Sequence, residues 1–505
     1  MIRLDRFYTE PASNLLVHKE YPPLAAIFEM LFCHLQLKYS EMSATMGLHF
    51  LEFSLLAPWL TEHFDSDGKH WLERFLNAFM LFMIELSITL IFDHYTTFLT
   101  IYTDILMPIM FAYIISLVMD KDIRDSRFGF AAMLLGQVSM ILTKQMCIIF
   151  VALAMFYYLL LSWEDLTGLD KHKRKIFIVR FLIIATAVIG NYLLWNHYAH
   201  SLGQNGQFDL KKIRPEGIFE ILLGGGTKSQ HEASVRYLQA LYSSNIIKGV
   251  FSMSFLSSMA PALGLLLLIY QAARKHVSKK VIINTAVMII SGYIGYAFTM
   301  FVLYMFCYSE AEMLGLASYS RYMGSYLLAA FLVILYFAVI FLKRSGRFNV
   351  LSWKKLIVLL GALVLIAGAD RWSFLLPQMI NGEPYKFYRE QAKRIERNTE
   401  EGSVILTVSR SNLQNTYYLN YYLNERKLNF RFAWSNIPNY AVDDTEKWDA
   451  ALDIIRDDDY MYVFDVSESL TTVLGPYTDG GELLEYTLYK IDSDEENLKL
   501  KKVDG

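Results

Sequence analysis

Long apolar stretches separated by short polar segments run through most of the first 376 residues. A helix needs about 20 predominantly apolar residues to cross a bilayer, and stretches near that length predict about ten membrane spans. The pattern therefore predicts a polytopic α-helical membrane protein. Between residues 128 and 161, where Thr143, Lys144 and Gln145 interrupt the apolar stretch, one long tilted helix is the alternative to two spans. The predicted spans are residues 41–60, 73–92, 103–119, 128–143, 145–161, 176–197, 246–270, 281–307, 321–342 and 356–376.

The distribution of Lys and Arg predicts which ends of the spans face the cytoplasm. Short cytoplasmic loops are enriched in these residues, whereas segments 93–102 and 308–320 contain neither. We therefore expect these two segments, together with segment 198–245 and the C-terminal region, to lie on the outer face of the membrane. The predicted cytoplasmic loops are residues 120–127, 162–175, 271–280 and 343–355.

The chain changes character after residue 376. Short β-type runs alternate there with helical patterns, and acidic residues outnumber basic ones. This alternation is typical of a small α/β domain. We expect residues 377–505 to form that domain on the outer side and residues 41–376 to form the transmembrane helical domain. The predicted strands are residues 404–408, 429–432, 461–464 and 485–491.

Residues 1–40 are predicted to be an external loop that carries an interfacial helix. Residues 23–37 are apolar but short and include Glu29 among other polar positions, so we expect an amphipathic helix lying in the outer interface rather than a span. Pro22 and Pro23 hold the preceding backbone extended and favour a helix start. The two prolines therefore place Glu20 at a stiff bend ahead of that helix.

The composition agrees with a membrane protein and limits the classes of partner that we expect the chain to bind. The chain has 505 residues, of which 54% are hydrophobic and 19% are charged, whereas soluble domains average about a quarter charged. A net charge of −3 gives no reason to expect a nucleic-acid partner. Cys33, Cys147 and Cys307 are dispersed and form neither a metal motif nor a disulfide framework. No cofactor is identified, and a divalent metal is left open without a ligand set.

Carboxylates on the predicted outer side are the first candidates for chemistry. Charged side chains near or within a membrane are costly to bury and often functional. Glu20 is a candidate general base, and the alternative is a carboxylate that caps the helix after it. Asp104 is a candidate catalytic carboxylate, and the alternative is a partner for Lys144 or for a backbone amide. Asp5 is a weaker candidate for a second carboxylate of the first external segment.

Two isolated cations are predicted to lie on the same side. Lys144 either binds a phosphate or extends its ammonium group to the membrane surface. Arg321 either binds phosphate through its planar guanidinium group or anchors a span in an aromatic belt. The candidate substrate-binding residues are Tyr21, Tyr102, Lys144, Arg321 and Tyr322.

The run Glu20-Tyr21-Pro22-Pro23-Leu24 resembles the Asp-Tyr-Pro-Pro-Leu stretch of the dolichyl-phosphate-glucose-dependent glucosyltransferases. Tyr102–Asp104, Leu142–Gln145 and Ser320–Tyr322 are similar to outer-face elements of bacterial polyprenyl-phosphate-sugar transferases. The resemblance implies a GT-C-like fold, with Glu20 in the place of the catalytic acid and Lys144 and Arg321 at the donor phosphate. Such enzymes begin with a membrane helix before the first loop, so we expect one to precede the present start.

The predicted function is that of a multi-pass plasma-membrane glycosyltransferase. It would move a sugar from a polyprenyl-phosphate carrier to a cell-envelope glycan or lipid, so a membrane lipid is the expected donor partner. Two alternatives stay open. A lipid or glycan flippase is expected to carry inverted repeats and charges at the bilayer midplane, and an envelope glycan polymerase or ligase would use diphosphate-linked donors.

Overall fold

The structure, a computed structural model, divides the chain into two compact units, His18–Trp372 and the combination of Met1–Val17 with Ser373–Gly505. It describes residues 21–35, 41–61, 103–168, 170–201, 212–247, 252–275, 278–344, 383–400, 402–408, 458–466, 468–493 and 497–503, together with residues 415, 418, 419, 422, 423, 452, 455 and 456.

The described part of the first unit is helical apart from one short hairpin. Strands β1 (Asn245–Ile247) and β2 (Met253–Ser254) pair antiparallel. The helices, in chain order, are α1 (Leu24–Leu35), α2 (Glu41–Leu56), α3 (Pro58–Thr61), α4 (Leu106–Met119), α5 (Lys121–Asp125), α6 (Arg127–Ile141), α7 (Ile148–Leu161), α8 (Trp163–Thr167), α9 (Lys171–Ser201), α10 (Pro215–Leu222), α11 (Lys228–Ser243), α12 (Met259–Ala273), α13 (Lys279–Cys307), α14 (Glu310–Leu314) and α15 (Tyr319–Arg344).

Three of the described helices are long and apolar enough to cross a membrane, which indicates a membrane protein. They are α9, α13 and the Tyr319–Ala338 part of α15. The prediction of about ten spans, and with it the ten-span GT-C-like fold class, is therefore wrong for the residues that the structure describes. Predicted spans 73–92 and 356–376 lie outside those residues.

The number of spans was overpredicted because the length of an apolar stretch does not show where a helix within it ends. Helix α4 has 14 residues and is about 21 Å long at 1.5 Å per residue, against a hydrocarbon core of about 30 Å. Helices α2, α6 and α7 are similarly short. The predicted span 246–270 begins with the β1–β2 hairpin and becomes helical at Met259.

The interval 128–161 forms two helices rather than one. Helix α6 ends at Ile141, a 3₁₀ turn covers Gln145–Cys147, and α7 begins at Ile148. Lys144 lies in the turn with an extended backbone. The interruption that Thr143-Lys144-Gln145 makes in the apolar pattern is thus a chain reversal.

Hydrogen bonds between helices fix their relative directions. Ser325 Oγ donates to the carbonyl of Asp104 at 3.1 Å, and Tyr336 Oη donates to the carbonyl of Ser116 at 3.3 Å. Helices α4 and α15 therefore run parallel. Tyr157 Oη lies 2.7 Å from Thr285 Oγ1, and the ring centroids of Phe150 and Tyr296 are 5.6 Å apart. The end of α7 thus lies beside the start of α13, and the two helices run antiparallel. These directions bring the starts of α4 and α15 to the same end of the helix bundle.

Tightly packed aromatic side chains hold α13 and α15 together. Tyr326 is fully buried, donates to the carbonyl of Ile289 at 2.6 Å, and stacks on Tyr296 with ring centroids 5.4 Å apart. Gly292 provides the room for this ring, since a Cβ added there would lie 2.1 Å from Tyr326 Oη. Close packing of this kind, rather than apolar character alone, determines how the two helices approach each other.

In the second unit, helix α16 (Glu383–Asn398) precedes a four-stranded sheet. The sheet has the order β3 (Ile405–Val408), β4 (Tyr460–Val463), β5 (Thr487–Ser493) and β6 (Leu498–Lys502), and a further helix, α17 (Glu468–Leu474), follows β4. Strands β3 and β4 pair parallel, and the other neighbouring pairs are antiparallel.

Three of the predicted strands correspond closely to β3, β4 and β5, and the predicted strand 429–432 lies outside the described residues. Strand β6 was not predicted, although Leu498 and Leu500 alternate with exposed lysines as expected for a half-buried strand. The predicted boundary between residues 376 and 377 also lies outside the described residues.

Replacing Gly292 with Ala tests the packing of α13 on α15. The added methyl group must displace the Tyr326 ring, and overpacking of this kind costs about 1–3 kcal/mol. We expect a lower melting temperature for the purified protein in detergent. Gly190→Ala in α9 is the matched control, because a Cβ there meets no atom within 4 Å. Equal melting temperatures for both variants would contradict this packing.

Candidate functional site

A pocket of about 400 Å³ lies where several helix ends meet in the first unit. One wall is the start of α1, and a second contains Thr103, which precedes α4. The turn between α6 and α7 contributes Thr143 and Lys144, and the chain from Tyr308 to Tyr322 closes the remaining side. The packing of the helices thus brings four segments that are distant in sequence together around the pocket.

Helix α1 presents one face to the pocket. Pro22, Ala25, Ala26 and Glu29 line it, a spacing of three, four and seven residues that places side chains on one side of a helix. The backbone N–H of Leu24 donates to the carbonyl of Leu142 at 3.0 Å. Because Pro23 begins the turn and this bond joins the helix start to the α6–α7 turn, the orientation of α1 at the pocket is fixed.

A buried ion pair lies at the pocket. Lys144 Nζ is 2.9 Å from Asp104 Oδ1, and each residue is 3% exposed. A lone charge at this depth would be costly, whereas a paired one is tolerated. The pair realises one of the two predicted roles of Asp104, that of partner for Lys144. Its other predicted role, as a catalytic group, stays a prediction.

Arg321 is a second cation beside the same carboxylate. Its Nε is 3.7 Å from Asp104 Oδ2, and its Nη2 donates to Tyr322 Oη at 3.1 Å. Lys144 Nζ lies 5.7 Å and 5.3 Å from the ring centroids of Tyr21 and Tyr322, within the range of cation–π attraction. Two cations share one carboxylate, so the group of Asp104, Lys144 and Arg321 carries a net charge of about +1. Such a group attracts an anion.

Strained backbone forms the rim of the pocket between α14 and α15. Leu316 and Ser318 have φ angles of 47° and 59°, in the left-handed region that side chains other than glycine rarely adopt. The N–H of Ala317 donates to the carbonyl of Glu312, and that of Leu316 to Met313, which is the Schellman pattern with a leucine where glycine is usual. Tyr304 Oη donates to the carbonyl of Ala317 at 2.7 Å and holds the segment in place.

Strain of this kind costs about 1–3 kcal/mol per residue and is often found at functional sites. Here it directs Ser318 toward the pocket and sets where α15 begins, three residues before Tyr322. The strained rim thereby positions Arg321 and Tyr322 opposite the turn that carries Lys144.

Two carboxylates that were not among the predicted site residues line the pocket. Glu312 accepts from the Ser309 N–H at 3.0 Å and from Ser309 Oγ at 2.7 Å, in a capping box that begins α14. Glu29 has no hydrogen-bond or ion-pair partner among the described residues, and burial raises its pKa to about 7. The sequence signal for Glu29 was its position seven residues after Pro22, on the same side of a helix. The sequence analysis instead interpreted Glu29 as part of the polar face of an interfacial helix.

The structure brings most of the predicted site residues together. Tyr21, Lys144, Arg321 and Tyr322 line the pocket, and Asp104 binds two of them. Glu20, Asp5 and Tyr102 lie outside the described residues, although Glu20 adjoins Tyr21 and Tyr102 adjoins Thr103. The chemical roles assigned to all eight residues stay predictions. Among the described residues, no group of three or more His, Cys, Asp or Glu side chains is arranged to hold a metal.

Comparison with known proteins gives no match: no family model, no curated protein and no solved structure is significantly similar to the chain.

Replacing Asp104 with Asn tests the ion pair. The substitution leaves the buried Lys144 ammonium without its carboxylate, and breaking a buried pair in this way costs about 3–5 kcal/mol. We expect a large fall in melting temperature, most of which is recovered in the double variant Asp104→Asn, Lys144→Met. A double variant that is no more stable than Asp104→Asn alone would show that the two charges are not coupled.

Replacing Glu29 with Gln tests the environment of that carboxyl group. A pKa raised from 4.5 to about 7 means that the folded state binds a proton more tightly than the unfolded state does. The resulting stabilisation is present below about pH 4.5 and is lost as the pH rises through about 7. We expect the melting temperature of Glu29→Gln to fall less between pH 5 and pH 8 than that of the wild type. Parallel curves would contradict the raised pKa.

Proposed function

We propose that the chain is a membrane glycosyltransferase that moves a sugar from a polyprenyl-phosphate carrier to an acceptor hydroxyl. The observation that carries the proposal is the pocket itself, where two cations share one carboxylate and a helix with a carboxyl side chain forms the facing segment. A phosphate-linked donor needs cations where its charge develops, and an acceptor hydroxyl needs a group that removes its proton.

Arg321 and Lys144 would bind the donor phosphate. When the bond between the anomeric carbon and the phosphate oxygen breaks, the leaving polyprenyl phosphate gains negative charge, which nearby cations stabilise most effectively in a site with little water. Arg321 is suited to this role because its side chain is 24% exposed, whereas Lys144 is nearly enclosed. Tyr322 supports both cations through its ring and its hydroxyl group.

The resemblance of Glu20–Leu24 to the first external loop of polyprenyl- and dolichyl-phosphate-sugar transferases supports the same reaction. In that interpretation the reaction is a direct displacement at the anomeric carbon, with no nucleotide sugar and with Glu20 as the sequence-based candidate for the base. Tyr21, the neighbour of Glu20, lines the pocket. The sugar would pass to a cell-envelope glycan or lipid at the outer face of the plasma membrane, on the side where the pocket-forming segments are predicted to lie.

A transfer assay with Arg321→Ala tests the proposal. The purified protein in proteoliposomes is incubated with a radiolabelled polyprenyl-phosphate hexose and an envelope lipid extract, and labelled product is measured. We expect wild-type transfer and a loss of about 100-fold or more in kcat/KM for Arg321→Ala, as for the removal of one electrostatic contact to a transition state.

Arg127→Ala is the matched control, since Arg127 is exposed at the start of α6 and is not among the residues lining the pocket. Its activity should stay near that of the wild type. Absence of transfer from any polyprenyl-phosphate sugar tried, or full activity of Arg321→Ala, would contradict the proposal.

A further inference from the structure

Three carboxyl groups lie in or against the described part of the pocket, and two of them are already engaged. Asp104 holds Lys144 and Arg321, and Glu312 caps α14 through Ser309. Glu29 lines the pocket and, within the described residues, has no hydrogen-bond or ion-pair partner. A group that takes a proton from a substrate must be accessible to it and not tied to another residue. Among these three, Glu29 alone fulfils both conditions.

The surroundings of Glu29 leave room for a substrate. Ala25 and Ala26, the residues one turn before it on the same face of α1, are small and also line the pocket. The bond from the Leu24 N–H to the Leu142 carbonyl keeps this face turned toward the segment that carries Lys144. The carboxyl group and the cations are thus held on different segments around one cavity.

We infer that Glu29 is the proton acceptor of the transfer reaction and contacts the acceptor hydroxyl, in place of Glu20. This inference rests on the proposed function. In the step, the acceptor oxygen forms a bond to the anomeric carbon while its proton passes to the Glu29 carboxylate. The bond from the anomeric carbon to the phosphate oxygen breaks, and its electron pair leaves with the polyprenyl phosphate. Glu29 then releases the proton to water.

The ionisation of Glu29 suits this role. Burial raises its pKa to about 7, and a general base is most effective when its pKa lies near the working pH. Among the described residues, the other titratable groups that line the pocket are Lys144, Arg321, Glu312, Tyr21, Tyr308 and Tyr322, and Asp104 lies behind the two cations. On α2, which packs against α1, His49 and Glu52 are hydrogen-bonded to each other at 2.8 Å.

A comparison of Glu29→Gln with Glu20→Gln in the transfer assay tests the inference. The wild-type kcat/KM should fall below about pH 7, because protonated Glu29 cannot accept a proton. Glu29→Gln should lower kcat by about 100-fold or more with little change in KM and should lose the acidic limb of the pH profile. Glu20→Gln should retain that limb. Glu29→Asp, which keeps a carboxylate at a shorter reach, should recover part of the activity.

Retention of near-wild-type kcat and of the acidic limb by Glu29→Gln would overturn the inference, as would loss of the limb in Glu20→Gln. These outcomes leave the proposed function intact, since they require transfer by the wild type. A wild type that transfers no sugar removes the proposed function and the inference together.

Labelling with dicyclohexylcarbodiimide gives a readout that does not depend on turnover. The reagent forms a covalent adduct with protonated carboxyl groups in apolar surroundings, and peptide mass spectrometry locates the adduct. We expect Glu29 to be modified at pH 6 and less at pH 8.5, and polyprenyl phosphate to reduce the modification. Labelling of Glu29 that polyprenyl phosphate leaves unchanged would contradict its place in the donor pocket, as would no labelling of Glu29 at pH 6.

Discussion

The ion pair between Lys144 and Asp104 is the interaction on which the pocket depends. Both side chains are almost entirely buried, and their charged atoms are 2.9 Å apart. Each residue also belongs to a separate segment, because Lys144 lies in the α6–α7 turn and Asp104 lies two residues before the start of α4. Arg321 approaches the same carboxylate from α15. One carboxylate thus joins three segments and is shared by two cations that line the cavity.

The geometry around that pair is maintained from two sides. Hydrogen bonds from buried tyrosines to backbone carbonyls hold the strained Leu316–Ser318 segment and the first turn of α15. On the other side, a backbone hydrogen bond from Leu24 to Leu142 joins α1 to the α6–α7 turn. A site that binds an anion and a hydroxyl group in a fixed relation needs walls that are joined to each other, and these hydrogen bonds join them.

Sequence reasoning found the charged residues of this site but not the length of the helices around it. Asp104, Lys144 and Arg321 were recognisable because a charged side chain in an apolar stretch is costly to bury and is therefore usually paired or functional. Counting apolar residues failed for α4 and α6 because the predicted spans included residues outside the helices, namely residues 103–105 before α4 and residues 142–143 after α6. Glu29 was overlooked because a carboxylate on a short helix is equally well explained by an interface. Its role in the pocket depends on tertiary contacts of α1 that no local pattern reveals.

An experimental structure with a polyprenyl-phosphate sugar bound would test the central claim most directly. We expect phosphate oxygens within about 3 Å of the Arg321 guanidinium and the Lys144 ammonium groups, with the sugar on the side of Glu29. A lipid phosphate bound elsewhere, with the pocket between α1 and α15 empty, would contradict it.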